Sequence, residues 1–328
     1  MRPSKLIALL FSTMVVTFPA AAVTELKISL QLPITHPLGQ NLIHFKDKVE
    51  KESQGNFKVK IYPSAQLYKD KDVPAAVSSG AINMGVASLT RFAGTIPAVD
   101  LFFVPFMFPT YDSVVKATAP NSKIRQKLDA EMTKTGARPL WWQAYGSTVI
   151  LSKGKPIKHP QDMTGKKVRV FGKIVGELVT AVNGSPTMIS GSEQFMAYQR
   201  GTVDAGMTGL TAIASRKLYD VMDYVTLTNH ADIEFVVLIN DKFWLSLTPK
   251  QQQILTVAAH QVEKELRGNI VEKEHAALDK IKKTSMQVIT LNDAEIRQWK
   301  AASSPVVETY ITSAGELGNE LVKLANAL

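Results

Sequence analysis

Apolar and polar positions alternate in short runs along this chain, and stretches with helical spacing separate those runs. Leu26, Ile28 and Leu30 alternate with Lys27, Ser29 and Gln31, which predicts a half-buried strand. A loop with Pro33, His36 and Pro37 follows. The spacing then predicts a helix from Leu38 to Ser53, with Phe45 and Val49 on its apolar stripe and Gly55-Asn56 as its stop. Phe57–Tyr62 reads as a strand, Asp70–Ser79 as a helix ending at Gly80, and Ile82–Ala87 as a strand. Strand and helix alternating with short links is the pattern of parallel α/β units.

A second set repeats the pattern. Leu101–Phe108 is an apolar loop, Tyr111–Thr135 is helical with a break at Pro120, and 138–143 and 148–152 read as two strands. Strands are expected at Lys166–Phe171, Thr187–Ile189, Asp204–Thr208 and Phe235–Asn240, with helices at Ile174–Val182 and Ser192–Arg200. A very long helix starts at Pro249, where a missing N–H is harmless, and runs to about residue 285. At 1.5 Å per residue it reaches about 50 Å, longer than one domain is wide. A strand at Met286–Thr290 and a helix from Asp293 close the chain. Two α/β halves with a helix bridging them describe a two-lobed clamp. The expected division is 23–147 plus 237–270 for one lobe and 148–236 plus 271–328 for the other. Ligands in open α/β sheets sit outside the carboxyl ends of the strands, in a crevice.

Length and composition narrow the class. The chain has 328 residues, 45% of them hydrophobic and none cysteine. That size suits about two domains and a sizeable core. Without cysteine there is no disulfide, no thiol nucleophile, no cysteine-ligated zinc and no iron–sulfur site. The formal charge of +9 is spread over the chain without aromatic interleaving, which favours a solvated basic surface over nucleic-acid binding. The N-terminus has a secretory pattern: Arg2 and Lys5, an apolar run from Leu6 to Phe18, then Pro19-Ala20-Ala21-Ala22. The run is too short to span a membrane, so residues 1–22 are expected to be a cleaved signal and the protein to be periplasmic.

The sharpest chemical signal is Arg169, set within Val168-Arg169-Val170-Phe171. A charge on a buried strand is costly unless something pairs with it. No carboxylate nearby in sequence is an obvious partner, so an anionic ligand is expected to supply one.

These residues carry a resemblance. Asp162-Met163-Thr164-Gly165-Lys166-Lys167-Val168-Arg169-Val170, then Pro186, Glu193–Ala197, Gly201 and Val203-Asp204, resemble ordered segments of the solute-binding proteins of tripartite ATP-independent periplasmic (TRAP) transporters, of the DctP type. Val104-Pro105-Phe106-Met107-Phe108 and Thr228-Asn229-His230 are similar to further segments of that family. The resemblance implies a two-lobed periplasmic binding protein fold with mixed sheets, hinge-crossing strands and a long domain-spanning helix. It also implies an organic acid between the lobes, its carboxylate held bidentately by Arg169, and delivery to TRAP membrane permease subunits. A planar guanidinium fork suits a carboxylate as an ammonium does not.

Two departures shape the expected ligand. Where the family often carries a second arginine this chain reads Tyr145-Gly146-Ser147-Thr148, and after Asp204 it reads Ala205-Gly206-Met207-Thr208-Gly209. A monocarboxylate with an apolar or aromatic body is therefore expected. The candidate ligand-binding residues are Arg169, Trp142, Gln143, Phe171, Met207, Thr208, Gly209, Arg91, Phe235 and Tyr145. Trp141 and Trp142 point to opposite faces of a strand, one into the core and the other toward the cleft. Arg91 is a candidate second cation. The six histidines show no metal spacing, so no metal or cofactor is expected. A monomeric receptor without catalysis is the leading reading. An exported small-molecule enzyme lacks support, since no G-x-S-x-G, H-E-x-x-H or P-loop is present. A receptor for an ATP-driven importer fits the ordered segments and long helix less well.

Overall fold

Alternating apolar positions build the first sheet. A computed structural model describes residues 23–328; the expected signal segment, residues 1–22, lies outside the described residues. Strands β1 (Thr24–Ser29), β2 (Phe57–Tyr62) and β3 (Met84–Ser88) run parallel, with β1 in the middle. Helix α1 (Pro37–Glu52) joins β1 to β2, and its stripe of Leu38, Leu42, Phe45 and Val49 is buried. Helix α2 (Val73–Ser78) leads into β3. Helices α3 (Tyr111–Thr118) and α4 (Lys123–Lys134) follow, parted at Pro120 as the sequence predicts. Thr110 and Ser113 cap α3 reciprocally, satisfying two otherwise orphaned donors.

Strand β4 (Ala137–Ser152) differs from expectation: the two predicted strands are one of 16 residues. The reason is Gly146, at φ +109 and beside a register shift between Ala144 and Gly146. Glycine takes that left-handed conformation without penalty, so the strand bends and twists instead of ending. Before the bend β4 belongs to the first sheet and after it to the second, where it pairs with β7 (Ala205–Gly209); β5 (Lys167–Val170) lies between β7 and β6 (Ser185–Met188). Helices α5 (Lys173–Ala181), α6 (Gln194–Gln199) and α7 (Leu210–Ser215) connect or follow these strands. A short strand the sequence pattern missed, β8 (Tyr224–Leu227), pairs with the far end of β4.

Strand β9 (Asp232–Asn240) returns to the first sheet and lies between β3 and β4. The order among the described residues is β2-β1-β3-β9-β4-β7-β5-β6. After a short α8 (Asp241–Ser246), helix α9 (Pro249–Lys282) packs on α1, β4, α7 and β10 (Gln287–Thr290), so it touches elements of both sheets. Thr248 and Gln251 form its capping box, with Pro249 at the first turn. The final helix, α10 (Asp293–Asn326), is broken at Gly315.

Ion pairs tie α9 to its neighbours. Arg267 on α9 grips Glu234 on β9 with two bonds of 2.5 and 2.8 Å. Arg125 on α4 reaches Glu263 at 2.6 Å. Along β9, Glu234 faces α9 while Ile233 and Phe235 face the opposite way, as strand alternation requires.

Candidate functional site

The carboxyl ends of the parallel strands in both sheets converge on one cavity with about 290 Å³ of empty space. Gln31 arrives just past β1, Ser88 at the end of β3, and Arg91 in the turn after it. From the second sheet come Arg169 and Phe171 at the end of β5, Gly191 past β6, and Thr208 on β7. The bent strand β4 contributes Tyr145, and β9 contributes Ile233 and Phe235.

Arg169 is buried, with only 3% of its surface exposed. Its Nε donates to the Ile189 carbonyl at 3.0 Å and its Nη1 to the Met207 carbonyl at 2.6 Å. Among the described residues no carboxylate forms an ion pair with it. Burial pushes its pKa down to about 10, and the neighbouring Arg216 and Arg91 act in the same direction. It stays cationic at neutral pH, in a site that penalises the charge. An anionic guest would relieve that penalty.

Arg91 is paired. It donates through Nε to Asp70, whose other oxygen accepts from the Ser88 N–H at 2.9 Å. Asp70 is fully buried and so anchors both the guanidinium and the end of β3. Arg91 therefore lines the cavity as expected in position, with its charge already compensated.

The cavity holds a further guanidinium that the sequence did not point to. Arg216 follows α7, and its Nη1 makes a long contact of 3.4 Å to Gln194 Oε1. Its Nη2 is buried and has no hydrogen-bond partner among the described residues. Burial shifts its pKa downward. Gln31 Oε1 and Ser88 Oγ are likewise buried without partners. Native proteins seldom leave such atoms unsatisfied, so each marks a place for a ligand or water. The charged lining is thus Arg91, Arg169 and Arg216 against Asp70.

An aromatic wall faces these groups. Tyr145 stacks on Phe235 with centroids 5.1 Å apart and planes 17° apart. Tyr145 also meets His36 at 5.1 Å, and its hydroxyl lies 3.3 Å from Thr208 Oγ1. Gly209 makes room for the ring: a Cβ there would stand 2.8 Å from Tyr145 Cε1. Phe171 lies under the Arg169 guanidinium, 5.6 Å from its centroid, and packs edge-on against Phe103.

Of the sequence candidates, Arg169, Arg91, Phe171, Tyr145, Thr208 and Phe235 line the cavity. Met207 and Gly209 stand one step back, the first through its carbonyl and the second as the floor for Tyr145. Trp142 and Gln143 lie elsewhere. The Trp142 indole donates to Asp129 at 2.8 Å and sits under Arg125, while Gln143 donates to Asn41 at 2.7 Å. Both sit on the first-sheet part of β4, whose faces are covered by packed elements, so neither side chain reaches the cleft. Trp141 is also buried, donating to Asn41 at 3.0 Å. Sequence reading missed Gln31, Asp70, Ser88, Gly191, Arg216 and Ile233. Only Gln31 left a trace, as the polar phase of the first alternating strand.

A cavity at the strand ends between two linked sheets, lined by buried guanidiniums and an aromatic wall, defines a two-lobed binding protein. The sequence of the bacterial extracellular solute-binding protein family 7, DctP, matches residues 28–313, and the chain belongs to that family. It is 26% identical over 291 residues to the C4-dicarboxylate-binding protein DctB of Bacillus subtilis, covering 88% of this chain and 83% of that protein. It is 27% identical to the ectoine-binding periplasmic protein TeaA of Halomonas elongata, covering 85% and 82%. A TRAP periplasmic solute-binding protein of Shewanella oneidensis, solved with bound succinate, superposes with a TM-score of 0.85 at 26% identity, covering 93% of this chain and 99% of that one. No helix among the described residues is long and apolar enough to cross a membrane.

Proposed function

We propose that this protein is the periplasmic solute receptor of a TRAP transporter. It encloses a small organic acid between its lobes and passes it unchanged to the membrane permease subunits. The observation that carries this reading is Arg169: a buried guanidinium, facing the interlobe cavity, with backbone carbonyls but no carboxylate as partners. Family membership and the names of the relatives point the same way.

The ligand carboxylate sits on the free edge of Arg169, and the carbon body lies against Tyr145, Phe171, Ile233 and Phe235. Thr208 offers a hydroxyl beside it. The space between these residues is small, so the body is short. The aromatic wall supports the apolar half of the sequence expectation. The monocarboxylate half rested on a missing arginine near Ser147, and Arg216 enters the same cavity from another part of the chain. The two lobes hinge where β4 and the connection from β8 to β9 pass between the sheets. The receptor acts as a monomer, without cofactor, nucleic acid or catalytic step.

The test is a thermal-shift and calorimetric screen of short carboxylic acids on the mature chain, with the ligand recovered afterwards. A receptor binds one class tightly and returns it chemically unchanged. Turnover of the acid would instead favour an exported enzyme, and no binding by any acid would refute the reading.

A further inference from the structure

Resting on that reading of the cavity, we infer that His36, which lies behind the cavity wall, is a positioning residue for binding. It holds Tyr145 in the aromatic wall and, through Thr211, ties the loop after β1 to the helix after β7 in the closed form of the receptor.

Three observations carry this. The first is a hydrogen-bond relay whose direction is fixed at both ends. The Leu38 N–H can only donate, and it meets His36 Nδ1 at 3.1 Å. Nδ1 is therefore the accepting nitrogen, and Nε2 carries the proton. Nε2 lies 3.1 Å from Thr211 Oγ1, and that hydroxyl donates to the Tyr145 carbonyl at 3.3 Å. A carbonyl can only accept, so every group between the two backbone ends has one role.

The second is the environment. His36 is fully buried, and burial together with the Arg216 guanidinium holds its pKa well below the ordinary value of 6.5. The ring is neutral, with the one donor and one acceptor that the relay needs. A second proton would sit on Nδ1 and face the Leu38 N–H.

The third is placement. His36 is the N-cap of α1, beside the first sheet, and Thr211 lies on α7, beside the second. Tyr145 stands between them on β4. The rings of His36 and Phe235 each lie 5.1 Å from its own, so the ring is held by contact while its carbonyl is held by the relay. A bond between the two lobes forms as the cleft closes. Its loss is therefore felt in ligand affinity and not in the stability of the open protein.

The test is calorimetry with whichever of succinate, butyrate, lactate and benzoate binds wild type most tightly, with thermal melts of the unliganded variants. His36→Asn keeps an acceptor for the Leu38 N–H, and with it the helix cap, but is too short to reach Thr211. It should weaken binding tenfold or more and leave the unliganded melting temperature within a few degrees of wild type. Thr211→Val keeps the shape without the hydroxyl and should do the same, whereas Thr211→Ser should stay within about twofold of wild type. The double variant His36→Asn with Thr211→Val should bind within about twofold of either single one, because both break the same relay. Nitrogen-15 NMR of ligand-bound wild type at pH 6 should show a neutral His36 protonated on Nε2. The Thr211 variants decide the matter if His36→Asn unfolds.

Unchanged affinity in His36→Asn overturns the inference, as do equal losses in Thr211→Ser and Thr211→Val. Losses that multiply in the double variant overturn it, and so does an imidazolium or an Nδ1–H ring in the spectrum. Unliganded variants that both melt far below wild type would make the contact part of the fold and overturn it too. In all these cases the receptor reading stands. Binding of none of the four acids overturns both.

Discussion

Arg169 Nη1 donates to the Met207 carbonyl at 2.6 Å, so a neighbouring strand, and not an acid, holds this guanidinium in place. β5 and β7 run parallel, pairing Arg169 with Gly206, and the next carbonyl along β7 falls under the side chain. The arrangement orients the fork toward the cavity without cancelling its charge. Pre-orientation of this kind lowers the ordering cost of binding.

Replacing Arg169 by alanine is expected to weaken binding of the cognate acid at least a hundredfold, about 2.8 kcal/mol. Arg169→Lys should recover little, because an ammonium lacks the planar fork. Titration calorimetry on folded variants measures both. Wild-type affinity in the alanine variant would show that the carboxylate binds elsewhere.

The two sheets approach each other closely at one glycine. Gly172, just past β5, lies against the Thr90 side chain, which follows β3, so any Cβ at 172 would strike it. Its backbone is extended and accommodates other residues. Gly172→Val should therefore prop the cleft open. Ligand affinity should fall tenfold or more, with the melting temperature of the unliganded protein within a few degrees of wild type. Small-angle scattering with saturating ligand should show a wider molecule than wild type; identical profiles would refute the wedge.

Two carboxylates sit at the bend of β4. Glu274 on α9 accepts from the Ser147 N–H at 2.8 Å, and Asp232 pairs in register with Ser147. Burial raises each to about 7, and each is also raised by a neighbouring acid. In the unfolded chain such groups titrate near 4, so the folded state keeps protons that the unfolded state has released. Stability from this source is full below about pH 4 and is lost as pH rises through about 7. Glu274→Gln keeps the acceptor and removes the ionisation. It should match wild type at pH 4 and exceed it by on the order of 2 kcal/mol at pH 8. Urea denaturation at the two pH values gives the difference, and an unchanged pH slope would exclude Glu274 as the source.

The Glu234–Arg267 pair fastens α9 to β9 on the face away from the ligand. Arg267→Ala should cost about 3–5 kcal/mol, because it strands a buried carboxylate. The double change Glu234→Leu with Arg267→Met should regain most of that. Denaturant midpoints of the single and double variants decide it; a double variant as unstable as the single would point to packing instead.

Much of the fold was legible because burial imposes periodicity. The alternation of Phe57–Tyr62, the stripe of α1 and the capped start of α9 each follow from local rules. Strand β4 was misread as two because Gly146 looks like a turn in sequence and acts as a bend in the sheet. Trp142 was misplaced because alternation says only that Trp141 and Trp142 oppose one another, not what covers each face. In the site, Arg169 stood out as a charge inside an apolar strand. Arg216 did not, since Ser215-Arg216-Lys217 reads as a solvated polar corner. Its neighbours in the cavity, Gln31 and Gly191, are far from it along the chain.

From its amino acids alone the chain indicated most of the segments that become strands and helices, and singled out one arginine with no acidic partner nearby in sequence. Those outcomes depend on neighbours a few residues apart, where spacing and burial speak directly. Which three guanidiniums share a cavity and which one is neutralised by Asp70 were decided only when β4 and the connection from β8 to β9 brought the two sheets together. Charge balance in a closed space is a property of distances between remote parts of the chain, and one-dimensional order does not encode it locally.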